Sequence, residues 1–310
     1  MSTLVCFHAH PDDECIGTGG TIARASAEGH RVILVVATNG DHGEIPADMP
    51  AGKTLVEVRH AETLKSAETL GVHRVVWLGY EDSGMTGWEQ NTNAGAFCNA
   101  ALEEAAQKLA DVLREENADV LTTYDWHGGY GHPDHIMVHK VGHRAAELVP
   151  VRVLEGTMNR DQIRRGIDAA RAAGLLKEDE GFNADGPADD GNPMGTLESE
   201  INYKFDVVKY APLKRAAMKC HASQLSDSGF FMAMDDERFA AQFGNEWFID
   251  PKSNEPMRDG WVFECPVCTW CVTDALQPDG MLIQIQVLMI LVVVSRLLLH
   301  QSCHRLGRYQ

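Results

Sequence analysis

Leu4-Val5-Cys6-Phe7-His8-Ala9-His10-Pro11-Asp12-Asp13-Glu14 is the stretch that decides how this chain is read. The apolar run that opens it is short and nearly continuous, which predicts a strand buried on both faces. The residues after it put an imidazole and two adjacent carboxylates, Asp12 and Asp13, on the turn leaving that strand. A second run, Asp119-Val120-Leu121-Thr122-Thr123-Tyr124, precedes His132-Pro133-Asp134-His135. Two such turns at the carboxyl ends of parallel strands meet where open α/β sheets gather their functional groups. Together they offer two His and one Asp for a divalent metal, with a spare Asp to activate water. That is the equipment of a metal hydrolase.

Working outward, residues 1–160 alternate between two patterns. Strand-like runs fall at Leu4–Ala9, Arg31–Ala37, Arg74–Leu78, Val120–Tyr124 and Val151–Glu155. Helical patterns fall between them, at about 17–28, 54–70, 97–116 and 134–148. In the third of these, Phe97, Ala101, Ala105, Leu109 and Leu113 recur every four residues and predict one buried stripe. The alternation predicts an α/β fold, a Rossmann-like and mostly parallel sheet with helices on both faces. Gly17-Thr18-Gly19-Gly20 lacks dinucleotide-binding spacing and a Walker lysine, so it predicts close helix packing.

Further on, Asp161–Leu176 and Pro212–Gln224 read as helical. The polar, acidic segment 177–195 predicts an exposed or poorly ordered insert. Phe230, Phe231, Phe239, Phe243, Trp247 and Phe248 read as core packing, or else as a wall of the cleft. Residues 1–264 thus form one domain. The composition changes at 265–310, with Cys265, Cys268 and Cys271 ahead of an apolar run over 281–299. That atypical tail fits a divergent extension or a translated frameshift, and no catalytic role is assigned to it.

The chain has 310 residues and a formal net charge of -18, which argues against a nucleic-acid partner. No leader pattern opens it, and Cys6, Cys15, Cys98 and Cys220 are scattered singly, so the expectation is a cytoplasmic protein. The 281–299 run is marginal for a membrane span, and a membrane partner is not expected. A homo-oligomer is compatible with the sequence.

The chemistry follows from residue types. His10 and Asp13, three apart in a turn, can point at one centre, and a His from the second cluster completes three ligands. Asp12 lies beside them as a base for water. Tyr130 and His132 can donate to a developing oxyanion. Asp134 can hold the His132 imidazole in its tautomer.

At these residues the chain resembles the LmbE/PIG-L family of zinc-dependent deacetylases. The resemblance rests on Ala9–Glu14 with His132–His135. Thr38-Asn39-Gly40, Tyr80–Met85, Tyr124-Asp125, Gly129-Tyr130-Gly131 and the His221–Gln224 segment support it. It implies Zn2+ held by His10, Asp13 and His135; a His/His/Asp set also accepts another divalent ion such as Fe2+, since affinity alone does not select zinc. It implies that Asp12 is the general base, that His132 is an acid or electrostatic stabiliser, and that Tyr130 polarises the amide carbonyl. It places Arg59 and Asp82 among the substrate-binding residues. The substrate it implies is a small amino-sugar conjugate of the N-acetylglucosaminyl-inositol kind, cleaved to the free amine and acetate. The alternative is cleavage of a bulkier amide, as by a mycothiol S-conjugate amidase.

Overall fold

The computed structural model describes residues 1–172, 174, 177, 183–224 and 232–264. The expectations for Phe230, Phe231 and the 265–310 tail lie outside these residues. Residues Met1–Phe263 form one compact unit.

Its centre is a sheet whose described strands run in the order β3-β2-β1-β4-β5-β7-β6-β8. The first five are β1 (Thr3–His8), β2 (Arg31–Thr38), β3 (Arg74–Tyr80), β4 (Val120–Tyr124) and β5 (Arg152–Thr157). They are parallel, with Val5 opposite both Ile33 and Leu121. β6 (Tyr203–Asp206), β7 (Asn245–Ile249) and β8 (Arg258–Asp259) extend the sheet, β7 pairing antiparallel with both β5 and β6. Among the described residues the α-helices are α1 (Asp13–Gly17), α2 (Gly19–Ala27), α3 (Leu55–Leu70), α4 (Leu102–Glu115), α5 (Pro133–Leu148), α6 (Arg160–Ala172), α7 (Ala211–Met218) and α8 (Asp236–Phe243).

The two-residue period of β1 sorts its side chains into two cores. Val5 and Phe7 join Leu109, Leu113, Val138 and Val141 of α4 and α5. Leu4 and Cys6 face the other way, onto Ile22, Phe205, Ala217 and Phe248. Phe239 and Phe248 are therefore core residues. The glycine run packs closely, as expected, against a different neighbour: a Cβ on Gly20 would strike Val207 beyond β6.

One sequence expectation needs correction. The third helix begins at Leu102, and Ala101 is its exposed, extended N-cap. Phe97 is buried through a separate turn, Phe97–Asn99. The described part of the acidic insert, 183–195, is ordered against the loop after β4. Asp189 N–H donates to Tyr130 O at 3.0 Å and Gly195 N–H to Gly129 O at 2.6 Å. Arg160 donates to the carbonyls of Pro193, Met194 and Gly195. Backbone hydrogen bonding, which composition does not reveal, holds this segment in place.

Among the described residues no helix is long and apolar enough to cross a membrane.

Candidate active site

β1 lies between β2 and β4, so its carboxyl end faces the crevice where the chain direction of the crossovers reverses. Two loops fill that crevice: Ala9–Asp12 after β1, and Asp125–His132 after β4. The second loop is shaped by the buried Asp125, which accepts from His127 N–H, Gly129 N–H and Thr157 Oγ1. It ends in α5. Pro133 sits in the first turn, and the His132 imidazole acts as N-cap, its Nδ1 accepting the Asp134 N–H at 3.1 Å.

Three donor atoms converge between the loops. His10 Nδ1 lies 3.4 Å from Asp13 Oδ2, His135 Nε2 lies 3.4 Å from the same oxygen, and the two nitrogens are 3.3 Å apart. An ion with bonds of about 2.0–2.1 Å holds tetrahedral neighbours roughly 3.3–3.4 Å apart. The chemistry of the donors agrees. His135 Nδ1 donates to the Gly128 carbonyl at 3.1 Å, which leaves its Nε2 lone pair facing inward. His10 Nε2 faces Asp134 Oδ2 at 3.2 Å and Asp82 Oδ1 at 3.4 Å, which leaves its Nδ1 facing inward. Two imidazole lone pairs and a carboxylate aimed at one point fit a divalent cation. Burial works to raise the Asp13 carboxyl, but the His135 and His10 imidazoles hold it well below the ordinary range.

Asp12 stands beside this cluster in a left-handed conformation, φ 107°, rare for a residue with a side chain. Its carboxylate is half-buried and receives Arg59 Nη2 at 3.1 Å. Burial pushes the carboxyl up; Arg59 pulls it down and Asp13 pushes it up again, leaving it at about 6. A group at that position is a competent base at neutral pH. His132 accepts a backbone N–H at Nδ1, so its neutral ring carries the proton on Nε2 and is a donor. Burial, with His10 and His135 close by, pushes its pKa down to about 2 and keeps it neutral. The Tyr130 ring stands edge-on to His135, centroids 4.9 Å apart. Burial and the Asp13 charge raise its phenol, so it too remains a donor.

Asp134 holds the His132 tautomer through its backbone N–H, while its carboxylate, fully buried, bonds His10 and accepts the Ser83 N–H at 2.8 Å. The reason is helical geometry, since positions 132 and 135 share a face and position 134 points away from it. Asp82 lies behind His10, pinned by the Gly84 N–H, and is 5% exposed. Arg59 is 3% exposed and clamps the turn, donating to Pro11 O and Gly40 O at 2.7 Å each.

Glu14 is a positioning residue with no role in the sequence reading. Fully buried, it accepts from Ser66 Oγ, His221 and the Asp12 N–H. It thereby fixes the backbone of the proposed base. The adjacent acidic triplet was the available signal. Another consequence is testable: Asp134→Asn keeps the shape but weakens the hold on the His10 tautomer. Metal affinity should fall about 10–100-fold, read by competition with a chelating dye. Unchanged affinity removes Asp134 from the metal's support.

The chain is similar to known proteins. The profile of the PIG-L family, described as GlcNAc-PI de-N-acetylase, matches residues 5–146. A 1D-myo-inositol 2-acetamido-2-deoxy-alpha-D-glucopyranoside deacetylase from Nocardioides sp. is 36% identical over 79% of this chain and 90% of its own length. The deacetylase of the same name from Streptomyces avermitilis is 39% identical, again over 79% of this chain and 90% of that protein. The fold is also that of the antimicrobial reagent A40926 pseudoaglycone deacetylase, with a TM-score of 0.52 and 15% identity over 80% of this chain and 96% of that one. Both deacetylases are more than 30% identical to the chain and are covered over nine-tenths of their own length, and on that ground the chain belongs to the PIG-L de-N-acetylase family.

Proposed function

We propose that this chain hydrolyses the N-acetyl group of an N-acetylglucosaminyl-inositol-like conjugate, giving the free amine and acetate. The convergence of His10 Nδ1, Asp13 Oδ2 and His135 Nε2 beside Asp12 is the observation that carries this reading. The two inositol-sugar deacetylases described above support the substrate class.

Those three atoms would hold the ion, taken here as zinc. Iron(II) suits the same donors, because affinity alone does not select between them. A bound divalent ion polarises an amide carbonyl and makes water more acidic. The protein's own groups supply the rest. Asp12 takes a proton from the attacking water as the new C–O bond forms. Tyr130 Oη–H and His132 Nε2–H donate to the oxygen that gains charge, the larger part of such catalysis. The C–N bond then breaks, and the proton on Asp12 passes to the leaving nitrogen. The low pKa of His132 supports a stabilising role over an acid role. Glu14 and Arg59 keep the Asp12 turn in place, while Asp82 and Asp134 keep His10 aimed. Cys6, Cys15, Cys98 and Cys220 are free thiols, which fits a reducing cytoplasmic setting.

The test is acetate release by zinc-loaded protein from N-acetylglucosaminyl-inositol, N-acetylglucosaminyl-malate and a chitin disaccharide. Turnover of the inositol conjugate well above the other two is expected. Equal turnover of all three would overturn the substrate assignment, and none at all would overturn the deacetylase reading.

A further inference from the structure

We propose that His139, His143 and Glu155 form a second site for a divalent cation of the zinc class, separate from the cluster at the sheet's carboxyl edge. α5 carries His139 and His143 four residues apart, so both rings lie on one face of the helix. Their centroids are 4.5 Å apart. Glu155, on β5, points at both: its Oε1 is 2.6 Å from His143 Nε2 and 3.5 Å from His139 Nδ1. One donor atom from each of the three residues lies within 4.8 Å of the others. Two His at this helical spacing with a carboxylate from a neighbouring element make a His2Glu set, which zinc accepts.

The second contact of each ligand suits the role. The Tyr124 carbonyl can only accept, so His139 Nδ1 is its donor at 3.1 Å, and the lone pair a cation would take is on His139 Nε2, across the ring from the atom that faces Glu155. That bond fixes the ring as outer-shell partners do in metal sites. His143 and Glu155 are held together by a proton, which a cation can replace; the carboxylate then opens from its short contact or turns its second oxygen inward. An entry path exists, since the side chains of His139 and His143 are 22% and 33% exposed while that of Glu155 is 10% exposed. A cation here would tie α5 to the ends of β4 and β5. A second buried cluster, Glu14 with Cys15 and His221, has no such capacity, because Glu14 is already bonded to Ser66, His221 and the Asp12 N–H.

The test counts zinc bound per full-length chain by elemental analysis after gel filtration. It uses the native protein, His143→Gln, Asp13→Ala and the double variant. Each single variant should lose one equivalent and the double variant two. The cysteines after Glu264 are common to all four proteins and drop out of the subtraction. His143→Lys preserves an ion pair to Glu155 while removing a ligand, so it guards against a folding artefact; it too should lose one equivalent. The native zinc count in either His143→Gln or His143→Lys would overturn the proposal, since an ion pair alone explains the three side chains in that case.

Discussion

Asp12→Asn should keep its metal and lose about 10²–10⁴ in kcat, the usual worth of a positioned general base. Asparagine is the informative replacement. Asp12 sits at φ 107°, and Asn tolerates positive φ better than Ala does. The amide also keeps an oxygen for Arg59 Nη2, so the turn at Pro11 survives. Asp12→Ala should be as inactive but less stable, because it adds backbone strain and leaves Arg59 without that acceptor. Metal content and kcat are the measurements, and wild-type turnover in Asp12→Asn would remove Asp12 from the mechanism.

The same residue sets a pH dependence whose sign is fixed. A base must be ionised, and the Asp12 carboxyl titrates at about 6, raised from its ordinary 3.8. The rate should therefore fall on acidification as Asp12 takes up its proton, with a midpoint in kcat/KM for the metal-loaded enzyme that lies below about 6, because the ion's charge favours the carboxylate. Stability runs the other way. The folded state binds this proton more tightly than the unfolded chain, so Asp12 favours folding at low pH and that contribution is lost as pH rises from about 4 through about 6. Asp12→Asn removes the cost and should melt no lower than the native protein at neutral pH, a trade of stability for activity familiar at catalytic sites.

Much of this was legible in the sequence because the physics is local. A run such as Val32-Ile33-Leu34-Val35-Val36 has few places to go other than the middle of a covered sheet, and it lies there, fully buried. Once five such strands alternate with helices, right-handed crossovers leave the ends of β1 and β4 side by side. The three-residue spacing within each motif then brings His10, Asp13 and His135 together. What escaped was long-range. β6 and β7 are short and pair with each other 40 residues apart, a cost in loop closure that no local pattern announces. The direction of the Asp134 carboxylate depends on where Ser83 and His10 arrive from other strands. The burial of Arg59 on α3 was not legible either, because nothing nearby in sequence says that Pro11 O and Gly40 O will surround it.

Asp13→Ala should be the more damaging change of the two acidic neighbours, because it removes an atom that the other ligands need. Asp13 Oδ2 is 3.4 Å from both His10 Nδ1 and His135 Nε2, and it also accepts the His10 N–H at 2.8 Å. Without it the cavity offers two neutral nitrogens and no compensating charge, while Asp82 and Asp134 still press on the far side of His10. Those carboxylates then favour a proton on the ring in place of a cation at its Nδ1. The loss of metal removes several kcal/mol of charge stabilisation, on the order of 10³ or more in rate. Excess zinc should restore Asp13→Ala only slightly, whereas a chelated native enzyme should recover fully on zinc addition. The pair of variants then separates two functions held by adjacent residues. Asp12→Asn binds metal and does not turn over; Asp13→Ala does neither. If Asp13→Ala instead retained stoichiometric zinc at this site, with His143→Gln removing the second equivalent, the ligand set would have to be drawn from the neighbouring His10, His132 and His135 group.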